Sequence, residues 1–267
     1  MRHAASPWAP PRLAGGSRPD RSRRRSCRVR AVGLLLALGV CLPGSAAGEP
    51  ATEVEAVVLL HGLARSDRSM QGLADRLAEV GYRVHNLAYP STEQTPEQLI
   101  DGLASALDAC CADASRLHFV THSLGGILVR AHLAAGHPAN LGRVVMLAPP
   151  NQGSEVVDAL GGTALFRWVF GPTGQALGTG ADSLPNRLPP ADYALGIVAG
   201  TSSLNPLGSA LIPGDDDGAV SIERTRLNGM TEHITVAHSH TFIMQAPDVA
   251  EHVVHFLARG SFEHADD

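Results

Sequence analysis

Lysine is missing from this 267-residue sequence; all 21 basic residues are arginine. With abundant Ala, Gly and Pro, this reads as GC-rich coding and says nothing of function. Long apolar runs are missing too. The longest, Ala31–Leu42, has 12 residues, against the roughly 20 that a membrane-spanning helix needs. Cysteine is scarce. Of four, Cys27 and Cys41 lie in the first 48 residues, and the remaining two, Cys110 and Cys111, are neighbours. Adjacent cysteines seldom bridge each other because the ring is strained, so this pair is expected reduced or buried at a helix end. Neither common glycine-rich phosphate loop is present. No set of three or four converging metal ligands is visible either, so no metal and no cofactor is expected.

Acidic residues are nearly absent at the N-terminus. Residues 1–48 carry nine Arg and one acid, Asp20; the rest carries 12 Arg against 25 acids, a formal charge of −13. A body this acidic repels phosphate backbones, which argues against nucleic-acid binding. What is present is 44% hydrophobic and 18% charged residues. That composition excludes a disordered body and fits one sizeable α/β domain.

The basic stretch Arg21–Arg30, the apolar run and then Pro43-Gly-Ser-Ala-Ala-Gly-Glu49 have the build of a secretory signal peptide. Cleavage after Ala47 places Ser45 and Ala47 in the two small positions; cleavage after Gly48 and retention as an anchor are the alternatives. A twin-arginine reading of Ser22-Arg-Arg-Arg25 lacks the apolar residue expected soon after. A lipoprotein reading of Leu38-Gly-Val-Cys41 has Val40 where a small residue belongs. The expected division is 1–48 signal peptide and 49–267 a single domain, with the protein periplasmic or secreted after cleavage.

From Glu55 onward, short apolar runs alternate with helical patterns. Strands are predicted at Ala56–Leu60, Tyr82–Ala88, Leu117–Thr121, Arg143–Leu147, Ala194–Ala199 and Ile234–Ala237. They are apolar on both faces, as a buried parallel sheet requires. Helices are predicted over 68–80, ended by Gly81; from a capping box at Thr95-Pro-Glu-Gln98; from Leu124; and over about Pro247–Ala258. The alternation predicts a mostly parallel, doubly wound sheet. Residues 156–190 interrupt the rhythm with Gly, Pro and the apolar set Leu165, Phe166, Trp168, Val169 and Phe170. This stretch is either a lid over a substrate pocket or a surface excursion with its own small core.

The chemistry-bearing segment is Leu117-His-Phe-Val-Thr-His-Ser123-Leu-Gly-Gly-Ile-Leu128. A strand runs into Ser123 and a helix follows, the arrangement of a nucleophile elbow, with Thr121 where the first Gly of G-x-S-x-G is usual. Residues two before and two after the Ser must be small so that strand and helix can approach; Gly125 satisfies this and Thr121 demands a local adjustment. The turn lifts the hydroxyl to a helix N-terminus, which favours developing negative charge. Taken alone, the segment could also be a Ser capping a helix. Upstream, a strand ends in His61-Gly62-Leu63. Downstream lie Asp215-Asp-Asp-Gly-Ala-Val220 and His238-Ser-His240-Thr-Phe242. The order Ser, acid, His is that of α/β-hydrolases.

His61-Gly-Leu63, Thr121-His-Ser-Leu-Gly-Gly126, Pro149-Pro-Asn-Gln-Gly-Ser154, the Asp-Gly-x-Val loop at 217–220 and His240-Thr-Phe-Ile-Met244 together resemble the bacterial exported lipase/esterase-like α/β-hydrolases over residues 55–258. The resemblance implies the α/β-hydrolase fold with a small lid-like insertion and a serine hydrolase that cleaves carboxylic esters through an acyl-enzyme. It implies Ser123 as nucleophile, Asp217 as acid, His240 as base, and the amides of Leu63 and Leu124 as oxyanion donors. Asp216 competes with Asp217, and His238 with His240. A structural calcium at the aspartate run is known among relatives, although such a run is commonly a solvated turn. The expected partner is a small-molecule or lipid ester, with transient contact with a lipid surface. An acyltransferase with the same triad, and a non-catalytic binding module on the same scaffold, remain the rival readings.

Overall fold

The computed structural model describes residues 54–263. The expected signal peptide therefore lies outside the described residues, and among them no helix is long and apolar enough to cross a membrane. Six parallel strands form one sheet in the order β2-β1-β3-β4-β5-β6. They are β1 (Glu55–Leu60), β2 (Arg83–Leu87), β3 (Arg116–His122), β4 (Leu141–Leu147), β5 (Leu195–Gly200) and β6 (Glu232–Val236). The helices are α1 (Gln71–Glu79), α2 (Pro96–Cys110), α3 (Leu124–Ala135), α4 (Glu155–Leu160), α5 (Ala164–Gln175), α6 (Leu184–Arg187), α7 (Pro206–Ser209), α8 (Ile222–Thr225) and α9 (Pro247–Arg259).

Successive strand side chains point to opposite faces, and the two faces have separate cores. Ala56, Val58, Leu60, Phe119, Met146 and Ile197 pack with α2 and α3. Val57, Leu59, Val120, Val145, Leu147 and Val198 pack with α1 and α9. Burial on both faces is why the central strands read as continuous apolar runs. It does not extend to β2, where Arg83 to Asn86 are only half-buried, because β2 is an edge strand. β6, at the other edge, starts two residues before its apolar stretch, since pairing with β5 begins at Glu232.

Local signals set the helix ends. Thr95 and Gln98 close a reciprocal capping box, with Pro96 in the first turn. α1 is entered through a 3₁₀ turn, Asp67–Met70, and Gly81 follows its end at φ +102°. One expectation is overturned: Cys110 and Cys111 form a disulfide. Within a helix, consecutive side chains diverge by about 100°. Cys110 is the last residue of α2, and Cys111, its C-cap, has left helical geometry at φ −132° and ψ 6°. The two side chains can therefore meet at this point of the chain.

Candidate active site

β3 ends in His122, and Ser123 turns the chain into α3 at φ 51° and ψ −118°. A non-glycine residue reaches that conformation only when its surroundings impose it. Here the Ser123 amide donates to Leu147 O at 2.9 Å, and Ser123 O accepts from Gly126 N at 3.0 Å. Close approach dictates Gly125: a Cβ there would lie 2.6 Å from Leu60 O. Thr121, fully buried, is accommodated from the other side. Gly126 is so close that its own Cβ would come within 3.3 Å of Thr121 Oγ1, so the space usually gained at the first position of the motif is gained at the sixth.

His240 and Asp217 arrive from loops beyond β6 and β5. His240 Nε2 is 3.0 Å from Ser123 Oγ, and His240 Nδ1 is 2.8 Å from Asp217 Oδ2. The other carboxylate oxygen, Oδ1, accepts the amides of Ala219 at 3.0 Å and Val220 at 2.9 Å. The His240 amide donates to Asp217 O at 2.9 Å, so the two loops are joined by main chain as well. The competing residues face elsewhere. Asp216 accepts the Ser209 hydroxyl and the Gly218 amide, each at 2.6 Å, and closes its own turn. His238 pairs with Asp248 at 2.8 Å.

Leu63 follows β1 and lines the same cavity as Ser123, and Leu124 is the first residue of α3. Among the described residues, neither amide is engaged by a protein acceptor. His61 is a core histidine satisfied by backbone. Its ring stacks on Tyr89 with centroids 4.0 Å apart, Nδ1 donates to Gly62 O, and Nε2 accepts the Tyr89 amide. Burial lowers its pKa.

His122, which sequence reasoning passed over, occupies the centre of this arrangement. Its buried ring lies 4.9 Å from that of His240, and its Nε2–H donates to the carbonyl oxygen of His240 at 2.9 Å. Burial, with the His240 ring adding to it, drives its pKa well below 6.5, so the ring is neutral. Nothing in local sequence could reveal this, because the partner is a main-chain carbonyl 118 positions away.

The site opens into a cavity of about 310 Å³ walled by Leu63, Val157, Phe166, Phe170, Leu177 and Val220. The 155–187 region supplies much of that wall. Phe166 and Phe170 of α5 face inward with rings 4.6 Å apart, while Leu165 and Trp168 face out, the latter 83% exposed. The Pro149–Ser154 segment fastens the wall: Ser154 Oγ donates to Ala219 O at 2.6 Å, its amide donates to Leu177 O, and Asn151 Nδ2 donates to Thr225 O at 2.8 Å.

Comparison with solved structures agrees with this architecture. The mature-form lipase BlEst2 of Bacillus licheniformis is similar at a TM-score of 0.62 and 22% identity, over 80% of this chain and 95% of that one. The phospholipase PlaB of Legionella pneumophila is similar at 0.60 and 16%, over 77% of this chain and 58% of that one. The metagenomic carboxyl esterase MGS0156 is similar at 0.54 and 18%, over 75% and 70%. At these identities the likeness is one of fold. No curated protein matches the sequence closely enough to count as a relative. The family model described as "Alpha/beta hydrolase family" matches residues 57–253, and the chain belongs to that family.

Proposed function

We propose that this chain is a serine hydrolase that cleaves carboxylic esters through an acyl-enzyme. The observation that carries the reading is the unbroken line Ser123 Oγ, His240 Nε2, His240 Nδ1, Asp217 Oδ2, at 3.0 and 2.8 Å. In this mechanism His240 takes the Ser123 proton as the hydroxyl oxygen attacks the ester carbonyl, and returns it to the departing alcohol. Water then repeats the sequence on the acyl-enzyme. Asp217 fixes the tautomer and stabilises the imidazolium, held by two amides that leave its second oxygen free to face His240. The amides of Leu63 and Leu124 receive the oxyanion; one such donor is worth about 3 kcal/mol in the transition state.

The apolar cavity supports an acyl chain or apolar alcohol as the bound group. Its volume stands at the low end for ligand sites, about 300–1,000 Å³, which favours modest esters over long ones. The solved neighbours named as a lipase, a phospholipase and a carboxyl esterase support the same substrate class. Residues 156–190 act as the lid in this reading, and export follows from the N-terminal segment. A fluorophosphonate probe tests the mechanism: the wild type labels at Ser123, and Ser123→Ala and His240→Ala do not. An unlabelled wild type overturns the proposal. Nitrophenyl esters of graded chain length then test the cavity, with kcat/KM expected to fall for the longest chains.

A further inference from the structure

The Cys110–Cys111 pair takes no part in the chemistry proposed at Ser123. His85, in the middle of edge strand β2, comes to the same place. One of its ring nitrogens and the two sulfurs all lie within 4.8 Å of one another, the one grouping of three such donors among the described residues. The register of β2 brings it there. Arg83, two residues before, is clamped to Asp113 just past the cysteines, at 2.7 and 2.9 Å. Leu87, two residues after, packs in the same core as Cys111. His85, on the face these two share, is left opposite the sulfurs. Its Nε2 is buried and, among the described residues, has no hydrogen-bond partner, a condition that disfavours the fold unless something meets that atom. A cavity of about 410 Å³, lined by Cys111, Asp108 and His132, leads in from another side. It shares no lining residue with the cavity at Ser123.

We propose that Cys110 and Cys111 in their dithiol form, together with His85, bind one thiophilic metal cation of the Zn²⁺ or Cu⁺ class, and that the disulfide is the closed state of this site. Two thiolates and an imidazole select such cations over Mg²⁺ or Ca²⁺, and leave a further position for water. Opening needs a dithiol reductant. It delivers two electrons and two protons to the S–S bond and is itself oxidised to a disulfide. The two thiols then lose their protons as two metal–sulfur bonds form, and the neutral His85 ring adds a metal–nitrogen bond. Adjacency suits both states. Neighbouring Cα atoms are about 3.8 Å apart across a trans peptide, below the span of about 4.4–6.8 Å that disulfides prefer, which makes such a bond easier to reduce. The same adjacency offers both sulfurs to a single ion. Tetrahedral zinc holds its sulfur and nitrogen donors roughly 3.5–3.8 Å apart, so from the spread of up to 4.8 Å seen here the imidazole has to approach by about 1 Å, and the sulfurs have to part once the bond between them is reduced. An oxidising compartment keeps the site shut.

The test uses the full-length chain, with and without reduction by dithiothreitol, the reductant removed anaerobically before titration with Co²⁺. Reduced wild type should bind one equivalent and develop a thiolate-to-cobalt charge-transfer band that Zn²⁺ abolishes; oxidised wild type should show neither. Reduced C110S/C111S should show no band. His85→Ala and His85→Gln should weaken binding at least about tenfold with far-UV circular dichroism unchanged; the Gln variant keeps a polar side chain of similar reach. The proposal is overturned if the oxidised chain binds equally or the reduced chain gives no band. A band that persists in C110S/C111S, or His85→Gln binding as wild type does, also overturns it. The wild-type redox comparison needs no substitution, so a misfolded variant leaves the test standing.

Discussion

His122 illustrates how one residue beside the proposed nucleophile can hold the imidazole that faces it. Its single proton is committed to the His240 carbonyl, and burial keeps it from gaining a second. Gly62 is part of the same device: a Cβ there would stand 2.6 Å from His122 Nδ1, so Gly62→Ala would push the ring off its bond. Replacing His122 by Phe keeps a ring but leaves the His240 carbonyl without its donor, a loss of about 1–3 kcal/mol. If the loss falls on imidazole placement, kcat drops by roughly tenfold to a hundredfold while KM for a small nitrophenyl ester stays nearly constant. Steady-state kinetics on His122→Phe and His122→Gln checks this; an effect confined to KM would mean that His122 only shapes the cavity. Ser123, Asp217 and His240 were legible because each sits in a recognisable stretch in a telling order. His122 was not, because its role depends on a main-chain atom brought close only by folding.

At the scale of elements, Arg130 ties α3, the helix behind Ser123, to the insertion. Its buried guanidinium donates to Asn151 O and Oδ1 at 2.9 and 3.2 Å, and to the carbonyls of Pro185, Leu188 and Pro189 at 3.2–3.4 Å. No carboxylate pairs with it in this set, and burial lowers its pKa to about 10. The planar fork reaches four residues at once; an ammonium cannot. Arg130→Leu would strand these acceptors and destabilise the chain by about 3 kcal/mol, and Arg130→Lys would recover little. Urea unfolding measures both, and limited proteolysis should cut first within 176–190 in the variants. Sequence periodicity located the strands to within two residues, because central strands are apolar on both faces. It gave no hint that β2 is an edge, since edge position depends on the order in which strands pair. It also missed the Cys110–Cys111 bond, because the helix end that permits it is a matter of backbone geometry.

At the scale of the molecule, buried histidines predict a chain that loses stability in acid. His61, His85, His118, His122, His132 and His233 all have pKa values lowered mainly by burial, His233 to about 4. In the unfolded chain they take up protons near 6.5, while the folded chain refuses them until the pH is lower. The unfolded state therefore binds more protons in that interval, and stability falls as pH drops. For His233 the loss begins near pH 6.5 and is complete below about 4. The melting temperature should fall steeply between pH 7 and 4, and His233→Gln should flatten part of that fall. A melting temperature unchanged down to pH 4 would contradict the burial argument.

The sequence by itself determined the alternation of strands and helices, the tight turn at Ser123 and the identity of the chemical groups, because periodicity and turn chemistry are local. The resemblance already favoured Asp217 and His240; that these, and not Asp216 and His238, face Ser123 came only with the tertiary structure, as did strand order and the burial of His122. Each depends on which surfaces meet when distant loops close over the end of the sheet, and neighbouring aspartates or histidines, alike in type, are told apart only by the direction in which the folded backbone points them.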